Sequence, residues 1–295
     1  MNRILGFLIF SWLFISCEKD IQLQPENASA KLVVDAQIET GQPPIVILSK
    51  SLNYFAELNG NALTNSFVRN ANVTVSNGTT THILKEYGIV NNGITYYFYT
   101  NDIANPATAF LGEEGKQYNL QISVDGQLYN ATTQIPLLTK KVDSLWWKKP
   151  PLNVDTTFAI VMARVTDPAG LGNYIRYFTR IGTNNIFLPG GNSVFDDQII
   201  DGTTYDIPVS AGVDRNRPPS SLDSSGYFYR GDTVTVKFAN IDQASYNFWN
   251  TWEFAFQSIG NPFSSPIKVL GNISNNALGA FSGYSTQFKT VIIPK

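Results

Sequence analysis

The sequence predicts an all-β protein, organised as two tandem antiparallel β-sandwich domains with one α-helix packed on the second. Three observations carry this expectation. Four tight-turn dipeptides, Asn77-Gly78, Asn92-Gly93, Asp125-Gly126 and Asp201-Gly202, stand between short runs with strand character. Asn-Gly and Asp-Gly accept the positive φ of type I′ turns, whose twist suits a hairpin. Between Tyr118 and Val124, the residues Tyr118, Leu120, Ile122 and Val124 alternate with Asn119, Gln121 and Ser123. That is the period of a strand with one wet face. Charged residues make up only 15% of the 295, and aromatics reach 13%. This balance fits extracellular β-proteins better than helical cytoplasmic enzymes.

The elements follow in order. Lys31–Ile38 opens the folded part as a strand, Gly41-Gln42-Pro43-Pro44 turns the chain, and Ile45–Leu48 is a second strand. The tight turns then join Asn72–Ser76 to Thr79–Leu84, Tyr87–Val90 to Ile94–Tyr99, and Tyr118–Val124 to Gln127–Ile135. Tyr118 follows Gly115-Lys116-Gln117, a placement similar to the corner tyrosine of immunoglobulin-like sandwiches. Pro136–Lys141 ends this set of hairpins, so the two domains are expected at 31–138 and 139–295. The second begins with Val142–Trp147, a strand at Thr157–Val165, a turn at Asp167-Pro168-Ala169-Gly170 and a strand at Asn173–Ile181. Asp201-Gly202 is expected to join Gln198–Ile200 to Thr203–Val209, with surface loops at 182–192 and 214–226. Asp242–Ser258 breaks the β pattern, because Ser245, Trp249, Trp252 and Phe256 share one helical face. Asp242 is placed to cap the start of this helix and Gly260 to end it, so a helix is expected at about 242–258. Phe288–Pro294 is expected as the last strand.

The N-terminus reads as a secretory leader, residues 1–16. Arg3 precedes the apolar run Ile4–Ile15, which is too short for a bilayer span of roughly 20 residues. The small Ser16 is followed by Cys17, the one cysteine of the chain. This arrangement resembles a bacterial lipoprotein signal, in which the cysteine is acylated with palmitate-class chains and becomes the first mature residue. Each buried methylene contributes about 0.8 kcal/mol, and two or more chains anchor stably. Residues 17–30 then form the acylated N-terminus and a polar tether. Within it Glu18, Lys19 and Asp20 resemble the acidic surface-export signal of Bacteroidota lipoproteins. With no further cysteine, the folded part holds together by core burial and not by disulfides.

Composition also excludes function classes. The net charge is −2 and no basic stripe occurs, which argues against nucleic acid as a partner. His82 is the one histidine, on a predicted polar strand without a partnering pattern, and Cys17 is committed to acylation. Ser–His and Cys–His hydrolysis therefore have no candidate residues, and neither an enzyme nor a cofactor is expected. Asp196, Asp197 and Asp201 make a small acidic cluster before Gly202. Hard cations favour several oxygens from one loop, but the spacing does not match a calcium-binding helix-loop-helix. The cluster reads as a solvated turn, and no metal is expected. Trp146 and Trp147 stand at the domain junction, where adjacent strand residues face opposite ways. One is expected in the core and the other as a partner or ligand contact, together with the loops 182–197 and 214–229.

Several stretches recur in a fixed order: Cys17-Glu18-Lys19-Asp20, Lys31-Leu32-Val33-Val34-Asp35, Gly41-Gln42-Pro43-Pro44 with Ile45–Ser51, Ala71–Val75, Asp167-Pro168 with Asn173-Tyr174, Gly260-Asn261-Pro262-Phe263, and Ala277–Tyr284. Together they resemble an uncharacterised Bacteroidota lipoprotein family, a domain of unknown function commonly encoded beside TonB-dependent outer-membrane receptors. The resemblance implies an outer-membrane protein, anchored through Cys17 and expected to face the cell exterior. It implies a non-enzymatic accessory of a TonB-dependent transporter in nutrient capture. Two alternatives stay open: a structural subunit of a larger outer-membrane assembly or secretion complex, and a glycan-binding surface module.

Overall fold

The computed structural model describes residues 29–52, 59–151, 157–183, 186–215, 226–261, 263–265 and 267–295. The leader, Cys17, Glu18, Lys19, Asp20 and most of the tether lie outside these residues, as do 184–185 and 216–225 of the two contact loops. In chain order the elements are β1 (Leu32–Glu39), β2 (Ile45–Lys50), α1 (Gly60–Ser66), β3 (Asn72–Ser76), β4 (Thr81–Ile83), β5 (Lys85–Asn91), β6 (Ile94–Thr100), β7 (Gln117–Val124), β8 (Gln127–Gln134), β9 (Lys141–Lys148), β10 (Phe158–Thr166), β11 (Tyr174–Ile181), β12 (Leu188–Phe195), β13 (Thr204–Val209), β14 (Phe228–Tyr229), β15 (Thr233–Ile241), α2 (Gln243–Gln257) and β16 (Leu278–Ile292). Among the described residues the fold is all-β with one substantial helix, α2.

Eight strands form a single sheet in the order β12-β11-β15-β16-β1-β2-β6-β5. One four-stranded sheet, β4-β3-β7-β8, packs on its N-terminal half, and a second, in which β10 pairs β9, β13 and β14, packs on its C-terminal half. The first core joins Val34, Ile38, Val46 and Leu48 to Val73, Val75, Leu120 and Ile122. The second joins Val161, Ala163 and Phe228 to Ile175, Val234 and Val236. Phe281 belongs to the first core and Val291 packs against the second. Both are odd-numbered on β16, so both cores lie on the same face of the large sheet. The expected boundary at 138/139 falls between the two cores, yet Lys31–Lys295 forms one compact unit.

β16 is what crosses that boundary. Its first half pairs in parallel with β1, from Val33↔Leu278 to Glu39↔Tyr284, and its second half pairs antiparallel with β15, from Asn240↔Ser285 to Thr233↔Ile292. The purely antiparallel pairing expected from the hairpins is corrected here: the large sheet is mixed. The close approach depends on Gly279, at φ +97, where an added Cβ would lie 1.9 Å from the Val34 carbonyl oxygen. Polar ties reinforce the junction. Glu39 is paired with Lys237 and accepts from Thr286 Oγ1 at 2.8 Å, and Glu114 accepts from Ser285 Oγ at 2.8 Å.

Three of the four tight turns form the expected hairpins, β3–β4, β5–β6 and β7–β8. Asp201-Gly202 does not. Residues 198–200 are a turn, and β13 pairs with β10 instead. The Asp201 carboxylate is used elsewhere, accepting from the Gly170 N–H at 2.7 Å. The stretch read as a loop at 182–192 contains most of β12, and the last strand begins at Leu278 instead of Phe288.

The helix forms where expected, with Asp242 as its N-cap and Gly260 at φ +83 beyond its end. Its buried face is rotated from the expected one: Ser245, Phe248 and Glu253 are buried, whereas Phe256 is 38% exposed. The helix lies on the opposite face of the large sheet, against Ala239, Ile241 and Tyr284. Asp242 does more than cap. Its Oδ1 accepts from the Ser245 N–H at 2.8 Å, while Oδ2 accepts from Thr133 Oγ1 and the Gln134 N–H, both at 2.9 Å. Asp242→Ala is expected to lower stability by about 2–3 kcal/mol in urea unfolding, the sum of a cap and two lost hydrogen bonds.

Candidate functional site

Described residues of the two predicted contact loops, Gly191, Asn192 and Phe195 from one and Gly226 from the other, meet beside β12 and β13. They help line a cavity of about 460 Å³ there. Tyr177 and Phe195 form one wall with their rings 6.1 Å apart and 18° from parallel, and Ile207 and Pro208 also line the cavity. Asn192 and Ser210 supply polar groups. A concave, mainly apolar cavity with a few polar groups is the usual form of a small-ligand site. The Tyr177 hydroxyl is held high by burial, against hydrogen bonds from Ser210 that pull it down. Gly190 on β12 lets this hydroxyl approach the strand, since a Cβ there would lie 2.3 Å from the Tyr177 oxygen.

A charged network fixes the rim. Arg215 Nη2 donates to the Gly190 carbonyl at 3.0 Å, the Gly191 carbonyl at 3.3 Å and Glu253 Oε1 at 3.3 Å. Its guanidinium lies 5.0 Å from the Trp252 ring centre. Burial lowers the Arg215 pKa, Glu253 opposes that, and the like charge of Arg176 adds to it. Glu253 also accepts from the Ser193 N–H at 2.8 Å and Ser193 Oγ at 2.5 Å. Arg176 in turn donates to Ser193 Oγ and the Tyr284 hydroxyl, both at 3.2 Å, and lies 3.4 Å from the Trp249 ring centre. Sequence reasoning missed this network, because a helical glutamate and two scattered arginines read as surface residues.

The remaining candidates fall elsewhere. Trp147 packs against the C-terminal core beneath the Arg230 guanidinium, 4.6 Å from its ring centre. Trp146 faces the other way, 5.8 Å from the Arg164 guanidinium, on the outer face of the sheet near Met162. His82 packs on the Phe110 ring at 4.7 Å.

The acidic cluster is regrouped. Asp196 accepts from the Tyr246 hydroxyl at 3.1 Å, and burial with this aspartate pushes Tyr246 up to about 12. Carboxylate oxygens of Asp167, Asp197 and Asp201 instead lie within 4.8 Å of one another. The positive charge beside them is the protein's own: Lys140 Nζ stands 2.9 Å from Asp167 Oδ1, with both side chains fully buried. Asp197 accepts from the Gly172 and Asn173 N–H groups at 2.9 and 2.8 Å. This is an internal knot tying the 167–173 turn to the 197–202 turn.

Burial raises the Asp197 pKa, but these hydrogen bonds outweigh it and leave the carboxyl below its ordinary 3.8. A depressed native pKa contributes stability fully above the unfolded value and loses it as pH falls through the native one. An acid titration followed by tryptophan fluorescence should therefore show stability falling below about pH 4.

Among the described residues, no helix is long and apolar enough to cross a membrane. Comparison with curated proteins finds no match. A family model described as a domain of unknown function, DUF4249, matches residues 18–290. That match covers both cores, the shared strand β16 almost to its end and the cavity between the loops, so the chain belongs to the DUF4249 family.

Proposed function

We propose that this chain is a Bacteroidota outer-membrane lipoprotein, anchored through acyl chains on Cys17 and facing the cell exterior. It acts as a non-enzymatic accessory of a TonB-dependent transporter in nutrient capture. The observation that carries the capture role is the cavity between β12 and β13, open at the sheet edge and walled by Tyr177 and Phe195. The leader running into Cys17 supports the anchor, and tethering raises effective concentration at a neighbouring receptor without a strong interface. An immunoglobulin-like N-terminal sandwich belongs to the same reading. It is supported by Tyr118, fully buried, whose hydroxyl accepts from the Glu113 N–H at 2.7 Å.

A second reading, a glycan-binding surface module, is favoured by Phe195, 40% exposed and near-parallel to Tyr177, a ring surface on which a sugar can stack. A detergent pull-down of the tagged protein from native membranes, with mass spectrometry, separates the two. A TonB-dependent receptor in near-equal amount supports the transporter role. Its absence, with glycan-array binding lost on Phe195→Ala, supports the second reading. Recovery of assembly or secretion components would point to a structural subunit.

A further inference from the structure

Sheet edges expose unpaired N–H and C=O groups, and natural proteins block them. Several edges among the described residues carry such blocks. On β8, the Ser274 N–H donates to the Asn130 carbonyl at 2.8 Å, and Asn272 Nδ2 donates to the Thr132 carbonyl at 3.1 Å. On β9, the Gln287 side chain bonds both the N–H and the carbonyl of Val142, at 2.9 and 3.1 Å. On β12, the Val213 N–H, Arg215 and Gln257 occupy the carbonyls of Pro189, Gly190 and Gly191. β13 carries Pro208, which offers no N–H, and β4 has only three residues.

β5 carries no such block on its outer side. It pairs with β6 and with no other described strand, and none of its main-chain groups meets a capping side chain among the described residues. The β5–β6 hairpin turns at Asn92-Gly93, with φ of 49° and 77°, and Asn91 stands opposite Ile94. In a two-residue hairpin the flanking pair shares both ladder bonds, and the pairs alternate from there. The N–H and C=O groups of Asn91, Ile89 and Tyr87 therefore face β6, while those of Val90, Gly88 and Glu86 face outward. Ile89 is 57% and Val90 70% exposed, one on each face of this strand.

We propose that β5 is the docking edge for a second copy of this chain, pairing antiparallel with its own equivalent about a twofold axis at Gly88. The strand Lys85–Asn91 is complementary to itself in this register. Glu86 faces Val90 of the second copy, Tyr87 faces Ile89 and Lys85 faces Asn91, so no like charges oppose. Tyr87 with Ile89 is an aromatic–β-branched pair of the kind that stabilises strand contacts. Gly88 leaves no side chain on the axis, and the Tyr97 ring already covers it within its own sheet. Glu86 is engaged internally by Arg69 Nε at 3.0 Å and the Asn70 N–H at 2.6 Å, so its charge needs no partner across the axis. The three outward-facing residues meet as hydrogen-bonded pairs, and the contact is isologous.

The test is the mass of the full chain in detergent, measured by sedimentation over a concentration series, for the native sequence and three variants. Val90→Glu sets a glutamate against Glu86 twice across the axis and is expected to weaken the dimer at least about tenfold. Val90→Lys sets opposite charges there and is expected to retain or tighten it. Val90→Pro removes an outward N–H that the subunit's own ladder does not use, and is expected to weaken it. At concentrations where every chain is monomeric, the two charged variants should keep the native unfolding midpoint, because Val90 is exposed. Amide exchange at Glu86, Gly88 and Val90 should slow only at concentrations where the dimer forms. A chain that stays monomeric up to its solubility limit overturns the proposal, as does a dimer indifferent to Val90→Glu. A monomeric chain that binds a different protein through β5 also overturns it, in favour of a heterologous strand.

Discussion

Asp167→Asn should lower the stability of the folded chain by about 3–5 kcal/mol, the cost of leaving one member of a buried ion pair alone. Lys140 and Asp167 both have fully buried side chains, and Asp167 Oδ1 has no partner among the described residues except the Lys140 ammonium. The amide keeps the side-chain shape but removes the charge, so the ammonium is left without its counterion. The Asp197 and Asp201 carboxylates, grouped within 4.8 Å of the Asp167 one, offset part of that loss, while Lys140 Nζ itself reaches the Asn173 carbonyl at 3.5 Å and lies 5.8 Å from the Tyr205 ring centre. Burial raises the Tyr205 pKa further beside Asp167 and Asp197, so this phenol stays neutral and supplies no counter-charge at neutral pH. The double variant Lys140→Met, Asp167→Asn should recover most of the loss, because neither member of the pair then carries a charge. Urea unfolding of the two single variants and the double closes the cycle. A single-variant loss under about 1 kcal/mol, the level of an exposed pair, would refute the assignment.

Glu253→Gln should be nearly as costly, at about 3 kcal/mol, and its effect should be local as well as global. The carboxylate is 3% exposed and is the hub that joins Ser193 on β12, Arg215 at the cavity rim and the face of α2. Without its charge, Arg215 and Arg176 face each other across a poorly hydrated space. Arg215 should then release the Gly190 and Gly191 carbonyls, unblocking the β12 edge and loosening the cavity rim. Amide exchange is expected to quicken in the last two turns of α2 and along β12, while the Asp242 end keeps its protection. Uniform quickening along the whole helix would mean that Glu253 supports the fold without organising this rim.

What the sequence shows and what it hides divide along physical lines. Three hairpins were legible because positive φ at Asn92, Gly78 and Gly126 is a local demand that few residues meet. The helix was legible from its cap and period. Its buried face was not, because Glu253 is buried through partners 60 and 38 positions away in sequence. Asp201-Gly202 has turn chemistry, but a long-range hydrogen bond to Gly170 redirects it. β16 was read only from Phe288, since residues 280–285 are covered on both faces and show no polar alternation. The contact loops were placed by their polarity, and the structure brings Asn192 of one and Gly226 of the other to one cavity. The regrouping of Asp197 and Asp201 with Asp167 and Lys140 depends on two turns meeting in space, which no spacing rule encodes.

The shared strand also sets a schedule for folding. β1 is made long before its parallel partner, which starts at Leu278, and the first core lacks Phe281 until that stretch arrives. The N-terminal half therefore cannot finish as an independent unit while synthesis proceeds. Until then β1 presents a bare edge flanked by buried-type residues, the kind of surface that aggregates or engages chaperones. Pairing across so long a stretch of chain is slow, because the loop must close before the contacts reward it. Loss of the last strand would strip a partner from β1 and β15 together and expose both cores at once.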